Sequence, residues 1–430
     1  MIPGRTITAQ PPPEGERGEP EELAKPIRNW RALLPFRKAN ANRGPADRWL
    51  LLVTLLLVGL GIVMIYSASA IRAQERFGDP TFFLKKQFLY AVVGLLAMTW
   101  AQGRDLKSFQ RLTPILFLAS LLLLMLVLVP HIGIRINGAR RWLRFFGLSF
   151  QPAELAKLTI ILFLASYFAR RQDRLNDFLD GFLPPLCLTG VLAVLIILQP
   201  NFGTACILLF VAGVMFFLGG TRIKHLLCTG GVALPILLVL ILRSSHGRMR
   251  LLALLDPSRV SAKATYQLDQ SFYALGPGGL FGRGLGDSMQ KLFFLPEPHT
   301  DFIFAIVGEE TGFVGAVLVV LLFGVFLWRG TLAAVRAGDP YASYLALGVT
   351  SLIVGQAALN MGVVSGLLPT TGVPLPFVSF GGSSLTLMLF GVGILLNVSA
   401  RAIPRQPDVV RPRYPVPDRE VPYARLPARA

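Results

Sequence analysis

A chain of 430 residues that is 53% hydrophobic and only 15% charged, with a mean hydropathy of +0.57, is not a string of soluble domains. It reads as an all-α integral membrane protein. The net charge of +18 does not argue for nucleic acid, because the lysines and arginines are scattered over tails and interhelical loops, without a basic helix or an aromatic-interleaved patch.

Residues 1–48 run from "PPPEGERGEPEE" into a basic stretch with Arg28, Arg31, Arg37, Lys38, Arg43 and Arg48, and are expected to be a disordered tail. The first apolar run is already a full span, so no cleavable signal is expected. "WLLLVTLLLVGLGIVMIYSASA" from Trp49 is long enough to cross a hydrocarbon core of roughly 30 Å at about 1.5 Å per residue. Lipid cannot satisfy backbone polar groups, so such runs must be helices. About ten are expected within residues 49–402, starting near residues 49, 87, 112, 153, 183, 204, 226, 301, 341 and 382. Residues 403–430 form a second tail.

An even number of spans puts both tails on one side, and the basic approach to the first span makes that side the cytoplasm. Arg104, Lys107, Arg111, Arg170, Arg171, Arg174, Arg222, Lys224, Arg329 and Arg336 then fall on the same side, as the positive-inside rule requires. The other side breaks the rule. Its segment 131–152 carries Arg135, Arg140, Arg141 and Arg144, and its longest loop, 243–300 between the seventh and eighth spans, carries Arg243, Arg248, Arg250, Arg259, Lys263, Arg283 and Lys291. Either the orientation is reversed or these cations serve an anionic ligand, for which guanidinium forks are suited.

Further along, "FQPAELAKLTIILF" places Glu154 and Lys157 on one helical face. "LQPNFGTA", with Gln199, Pro200, Asn201 and Thr204, reads as a tight turn between spans. Cys187, Cys206 and Cys228 lie in apolar runs and the four histidines share no ligand spacing with them, so core packing is expected and a zinc site is not. The glycine-rich "ALGPGGLFGRGLGDSMQKL" fits neither nucleotide-binding template. It reads as an irregular loop with positive-φ turns, or as backbone that closely approaches a bulky headgroup.

The densest ionisable chemistry is in "FFLPEPHTDFIFAIVGEETG", residues 293–312, with Glu297, His299, Asp301, Glu309 and Glu310. Thr300 and Asp301 suit a helix start, where they would satisfy free amides. Against that bland role stand Glu297 and His299 alongside. Desolvation and nearby carboxylates would raise the pKa of Asp301, whereas a helix N-terminus and nearby cations would lower it. Glu309 and Glu310, two turns deeper, need a partner in protein, and Glu154 with Lys157 is the candidate. Last, "LLPTTGVPLPFVSFGGSSL", residues 367–385 and including Ser383, has prolines, glycines and hydroxyls where lipid-facing helix is impossible, which argues for a cavity at the outer end of the last two spans.

"NGARRWL", "FQPAELAKL", "YQLDQSFYALGPGGLFGRGLGDSMQKLFFLPEPHTDFIFAIVGEETG" and "LLPTTGVPLPFVSFGGSSL" together resemble the SEDS (shape, elongation, division and sporulation) family, which includes FtsW and RodA. "GLGDSMQKL" and "LLPTTG" look more like the FtsW branch. Departures are Asn201, Phe380, Pro277, Pro298 and Thr311; Phe380 removes a hydroxyl where tyrosine is common. The resemblance implies a peptidoglycan glycosyltransferase of the bacterial inner membrane, both termini cytoplasmic, that polymerises lipid II at the outer face with a class B penicillin-binding transpeptidase and division-complex proteins as partners. It carries the essential aspartate onto Asp301. Arg140, Arg141, Glu154, Lys157, Lys291, Glu297, His299, Thr300 and Ser383 are the candidate substrate-binding residues. No cofactor is required, although a loosely held divalent cation, Mg or Mn, would suit the departing diphosphate. The competing readings are a lipid II flippase, a RodA-type elongation polymerase and a non-catalytic division scaffold.

Overall fold

The computed structural model describes residues 44–401 apart from 137–138, 146–147, 257–261, 293 and 297. Both tails beyond these limits, and Glu297, lie outside the described residues. Among the described residues, ten helices are long and apolar enough to cross a membrane. In chain order the helices are α1 (Arg48–Phe77), α2 (Phe82–Gly103), α3 (Leu106–Leu128), α4 (Pro152–Arg170), α5 (Leu183–Leu198, entered through a π-helical turn), α6 (Phe202–Gly219), α7 (Ile223–Arg243), α8 (Ser245–Leu255), α9 (Ala262–Leu275), α10 (Ile303–Val335), α11 (Pro340–Val364) and α12 (Gly382–Ala400). Of these, α8 and α9 are the non-spanning pair and lie in the long loop between α7 and α10.

The core is formed by α4, α11 and α12; 78% of the apolar window of α4 and of α12 is buried, against none for α7. In lipid an apolar side chain gains little from leaving its solvent, so centrality follows polar pairing and close packing more than hydrophobicity. Asp47 caps α1 by accepting from the Trp49 and Leu50 amides and also meets Arg329 at the last turns of α10, while the Gly44 amide donates to the Ala400 carbonyl at 2.8 Å. The first and last described segments therefore meet at one end, here called the tail end. The loop end is opposite.

Two features set the loop end apart from plain connectors. Three antiparallel strands, β1 (Ile134–Ile136), β2 (Ala139–Phe145) and β3 (Leu148–Phe150), pair in that order into a sheet. Its cations are thus held on strands.

The second is a break in α10. Gly312 sits at φ 69°, ψ −168°, outside helical geometry. The segment 313–335, about 34 Å long, crosses by itself, and 303–311 is a separate stub of about 13 Å. The broken helix would orphan the carbonyls of Glu309 and Glu310 and the amides of Phe313 and Val314. The glycine-rich loop satisfies all four: Arg283 and Gly284 amides donate to the two carbonyls at 3.0 and 3.1 Å, and Phe313 and Val314 amides donate to Gly279 and Leu280 at 2.9 and 3.1 Å. The approach demands small residues, because a Cβ on Gly282 would stand 2.2 Å from the Glu310 carbonyl oxygen. Of the two readings of this loop, the turn-rich one holds, with positive φ at Gly279, Gly282, Gly284 and Gly286. The close partner of its backbone is α10.

Candidate active site

Asp301 lies in a turn just before α10, one residue ahead of the N-cap position, which Phe302 occupies without a side-chain cap. Its carbonyl accepts from Asn360 Nδ2 at 2.8 Å, and the same nitrogen donates to the Val373 carbonyl at 2.8 Å. Asn360 is buried in α11, so it ties the turn to the irregular 367–381 segment. Gly372 in that segment backs the carboxyl group, since a Cβ there would lie 3.3 Å from Asp301 Oδ2. Asp301 itself is half-buried.

One turn before Asn360, Gln356 Nε2 donates to the Pro374 carbonyl at 2.9 Å, and its Oε1 accepts from Lys157 Nζ at 2.6 Å. Lys157 also pairs with Glu154 at 2.8 Å, both side chains being at most 3% exposed. This corrects the expectation that Glu154 and Lys157 meet Glu309 and Glu310. They pair within α4 and brace the loop behind Asp301 instead.

Glu309 and Glu310 have their own partners. Glu309 accepts from Ser288 Oγ and from the Met289 amide at 2.8 Å, with Arg283 Nη1 at 3.6 Å. Glu310 accepts from Ser67 Oγ at 2.5 Å and pairs with Lys291 Nζ at 3.2 Å. Each buried carboxylate is thus matched by one cation and one hydroxyl, as burial in a membrane protein requires. Lys291 is 6% exposed and also bonds the Gly286 carbonyl, so it serves the break in α10; the expectation that it binds substrate gains no support from these contacts.

The two arginines of "ARR" separate. Successive residues of a strand point to opposite faces. Arg141 shares the inward face of β2 with buried Ala139 and Leu143; its Nε donates to the Gln199 carbonyl at 3.0 Å and Nη2 bonds the Pro200 carbonyl. Arg140 stands on the other face with Trp142 and exposed Arg144. The "LQPN" turn is therefore the seat of Arg141 as well as a tight connection.

Arg250, from α8, was not singled out in the sequence. Burial lowers the pKa of the Arg141 guanidinium, Arg250 adds to the lowering, and the Asp301 carboxylate opposes it. Crowding by protein lowers Arg250 likewise, again opposed by Asp301, yet its side chain keeps access to solvent. Two cations thus face one carboxylate at the loop end. The only advance sign of Arg250 was a cation in a loop that breaks the charge rule; Gln356 and Asn360 were visible as amides four apart in an apolar span.

The remaining candidates lie around this centre. Ser383, 6% exposed at the start of α12, accepts from the Gln151 amide at 3.3 Å and joins α12 to α4. Thr300 is half-buried. His299 is 5% exposed, its ring 4.5 Å from Phe83 and 5.7 Å from Phe380, and its carbonyl accepts from the Phe380 amide at 2.8 Å. Burial, helped by Arg72, pushes its pKa down to about 4, so it is a neutral aromatic anchor at physiological pH and not part of an acid–base pair. Because the unfolded chain binds a proton near pH 6.5 and the folded chain only near 4, stability should fall as pH drops through that window, by roughly 3 kcal/mol at most. A melting curve taken at steps from pH 7 to 4 should be flatter for His299→Gln than for the native chain. Equal slopes would contradict this.

For a divalent cation the fit is poor. Among the described residues no group of three His, Cys, Asp or Glu side chains gathers, and the neighbours of Asp301 are guanidiniums that repel such an ion.

Residues 48–403 match the family of cell cycle proteins that comprises FtsW, RodA and SpoVE. The chain is 44% identical over 353 residues to the stage V sporulation protein E of Bacillus subtilis, a match that covers 82% of this chain and 96% of that one. It is 44% identical over 355 residues to a probable peptidoglycan glycosyltransferase FtsW of Geobacter sp. strain M18, covering 83% and 97%. Among solved structures it is similar to a peptidoglycan synthase complex described for its structural coordination of polymerization and crosslinking, with TM-score 0.67 and 32% identity over 82% of this chain and 97% of that one. The rod shape determining protein RodA of Thermus thermophilus gives 0.62 and 32%, over 82% and 96%.

Proposed function

The chain belongs to the FtsW/RodA/SpoVE family and is an integral membrane peptidoglycan glycosyltransferase; from that premise we propose that it polymerises lipid II at the loop end, with Asp301 as general base. The observation that carries the assignment is the carboxylate of Asp301 set against Gly372, with Arg141 and Arg250 in its field. In the reaction the 4-hydroxyl oxygen of the incoming sugar attacks the anomeric carbon of the lipid-linked chain. The bond from that carbon to the diphosphate breaks, configuration inverts and the hydroxyl proton passes to Asp301. The diphosphate leaves with the bonding electrons, and its growing charge is met by the two guanidiniums. Arg141 spends Nε and Nη2 on protein carbonyls, which leaves its other donors for the ligand.

The loop end faces outward in this reading, with both tails in the cytoplasm, so Arg141 and Arg250 stand against the charge rule because they serve catalysis, and Arg283 and Lys291 because they pair with Glu309 and Glu310. A class B penicillin-binding transpeptidase is the partner, and cell division the setting, as the likeness to FtsW chains and to a synthase complex suggests. A flippase would need polar side chains along an open path, whereas Glu154, Lys157, Glu309 and Glu310 are all committed to internal partners.

Synthesis of glycan from purified lipid II by the full chain with its transpeptidase tests the reading; no polymer under any partner condition would overturn it. The two arginines give a sharper comparison. Arg141→Gln should weaken lipid II binding by roughly tenfold or more, the worth of one charge-assisted contact, while Arg140→Gln should leave it within about twofold. If titration of labelled lipid II gives the same affinity for both variants, the diphosphate site is not at Arg141.

A further inference from the structure

At the tail end, remote from Asp301, a cavity of about 460 Å³ opens between α3 and α4. Its wall is graded along the bundle axis. Arg170 and Arg171 close α4, and Arg111 stands near the start of α3, so three guanidiniums ring the mouth. Below them comes an aromatic ladder. The Arg171 guanidinium lies 5.1 Å from the Tyr167 ring, Tyr167 is 6.0 Å from Phe163, and Phe163 is 5.2 Å from Phe117. From Leu106 at the start of α3, Phe117 is about 16 Å deep.

No acidic residue lines this space. Arg171 spends one nitrogen on the Tyr167 hydroxyl and the Asp180 carbonyl, while Arg111 and Arg170 make no hydrogen bond or ion pair among the described residues. Polar groups stand at the level of the first rung: Ser166, next to Tyr167, is 7% exposed and lines the wall without a hydrogen-bond partner among the described residues. Pro114 supplies no amide to the Gln110 carbonyl, and both residues face the cavity. A ring of cations with a hydroxyl and an acceptor beside it, over an apolar shaft, matches an anionic headgroup with its glycerol oxygens and an acyl chain below. The charge rule alone accounts for arginines at this end, but not for a cavity beneath them.

We propose that the cavity between α3 and α4 is a binding site for an anionic glycerophospholipid, its phosphate among Arg111, Arg170 and Arg171 and one acyl chain along Tyr167, Phe163 and Phe117. The lipid would enter from the leaflet at the tail end and tie α3 to α4, the helix that carries Glu154 and Lys157.

The test is native mass spectrometry of the full chain in detergent, titrated with phosphatidylglycerol or phosphatidylcholine. The native chain should retain phosphatidylglycerol preferentially, and the triple variant Arg111→Gln, Arg170→Gln, Arg171→Gln should bind it at least about tenfold more weakly. Ser166→Leu, which fills the shaft and removes no charge, should lose binding as well, and it decides the matter if the triple variant does not fold. Arg222→Gln with Lys224→Gln removes two cations from the same end outside the cavity and should change nothing. Equal binding by native, triple and Ser166→Leu chains overturns the proposal, as does equal loss in the Arg222 and Lys224 variant, which would mean mere surface charge. Inorganic phosphate should not compete at concentrations equal to the lipid; if it does, the site takes a phosphate ion and the acyl assignment falls.

Discussion

Asp301→Asn is expected to reduce glycan polymerisation from lipid II by about 10²- to 10⁴-fold, the usual worth of a positioned general base. The substitution keeps shape and leaves the backbone in place, because Asn360 holds Asp301 through its carbonyl and not its carboxyl group. It removes only the ability to accept the proton. Arg141 and Arg250, freed from the opposing carboxylate, should bind the diphosphate at least as well as before. The loss should therefore fall on kcat, with KM unchanged or lower, the pattern of an interaction made in the transition state. Gel analysis of polymer formed by the purified chain with its partner, over a range of lipid II concentrations, separates the two parameters. A variant that polymerises within threefold of the native rate, on an order-of-magnitude reading, would remove Asp301 from the chemistry.

Gly312→Ala is expected to give a large loss of stability for a single methyl group. The conformation at Gly312, φ 69° and ψ −168°, belongs to a region that side chains avoid. There is also no room: a Cβ would stand 2.3 Å from the Gly282 nitrogen and 2.5 Å from the Leu280 carbonyl oxygen. Strain and displacement together should cost about 3 kcal/mol or more, since relief means parting α10 from the glycine loop and losing the four hydrogen bonds across the break. Activity should fall with stability, because the stub 303–311 that follows Asp301 is anchored through this junction. Gly59→Ala is the control. Gly59 is exposed on α1 with nothing within 4 Å of an added Cβ, so it should be neutral or stabilise by about 0.5–1 kcal/mol. Thermal melts in detergent compare them, and a Gly312→Ala chain that melts with the native would show that the break tolerates a side chain.

Much of the architecture was legible in the residues. The expected span starts near 49, 153, 204, 341 and 382 fall within a few residues of the observed Arg48, Pro152, Phe202, Pro340 and Gly382, because a lipid core sets a minimum apolar length and polar breaks end each run. The irregular segment expected at 367–385 was also readable, since its prolines and glycines could not face lipid, although its last four residues already belong to α12. Asp301 stood out by its company, although the N-cap role that competed for it falls to Phe302.

What the residues alone could not supply was pairing between distant elements. Glu154 and Lys157 were matched to Glu309 and Glu310 by charge alone, whereas Ser67, Ser288 and Lys291 are what the fold brings to those carboxylates. Arg140 and Arg141 are neighbours in sequence with the same chemistry; only the β2 strand sends one inward to the Gln199 and Pro200 carbonyls.

By itself, then, the sequence determined that the chain spans a membrane about ten times, which segments break the spans and which aspartate is the candidate for the chemistry, because length, apolarity and local motif are properties of contiguous residues. Tertiary structure decided that Arg250 and Arg141 join Asp301, that the glycine loop repairs the break at Gly312 and that His299 is an aromatic anchor. The reason is physical: helices apolar on every side carry no local mark of which neighbour they pack against, so the partner of each buried charge is settled only when the bundle closes.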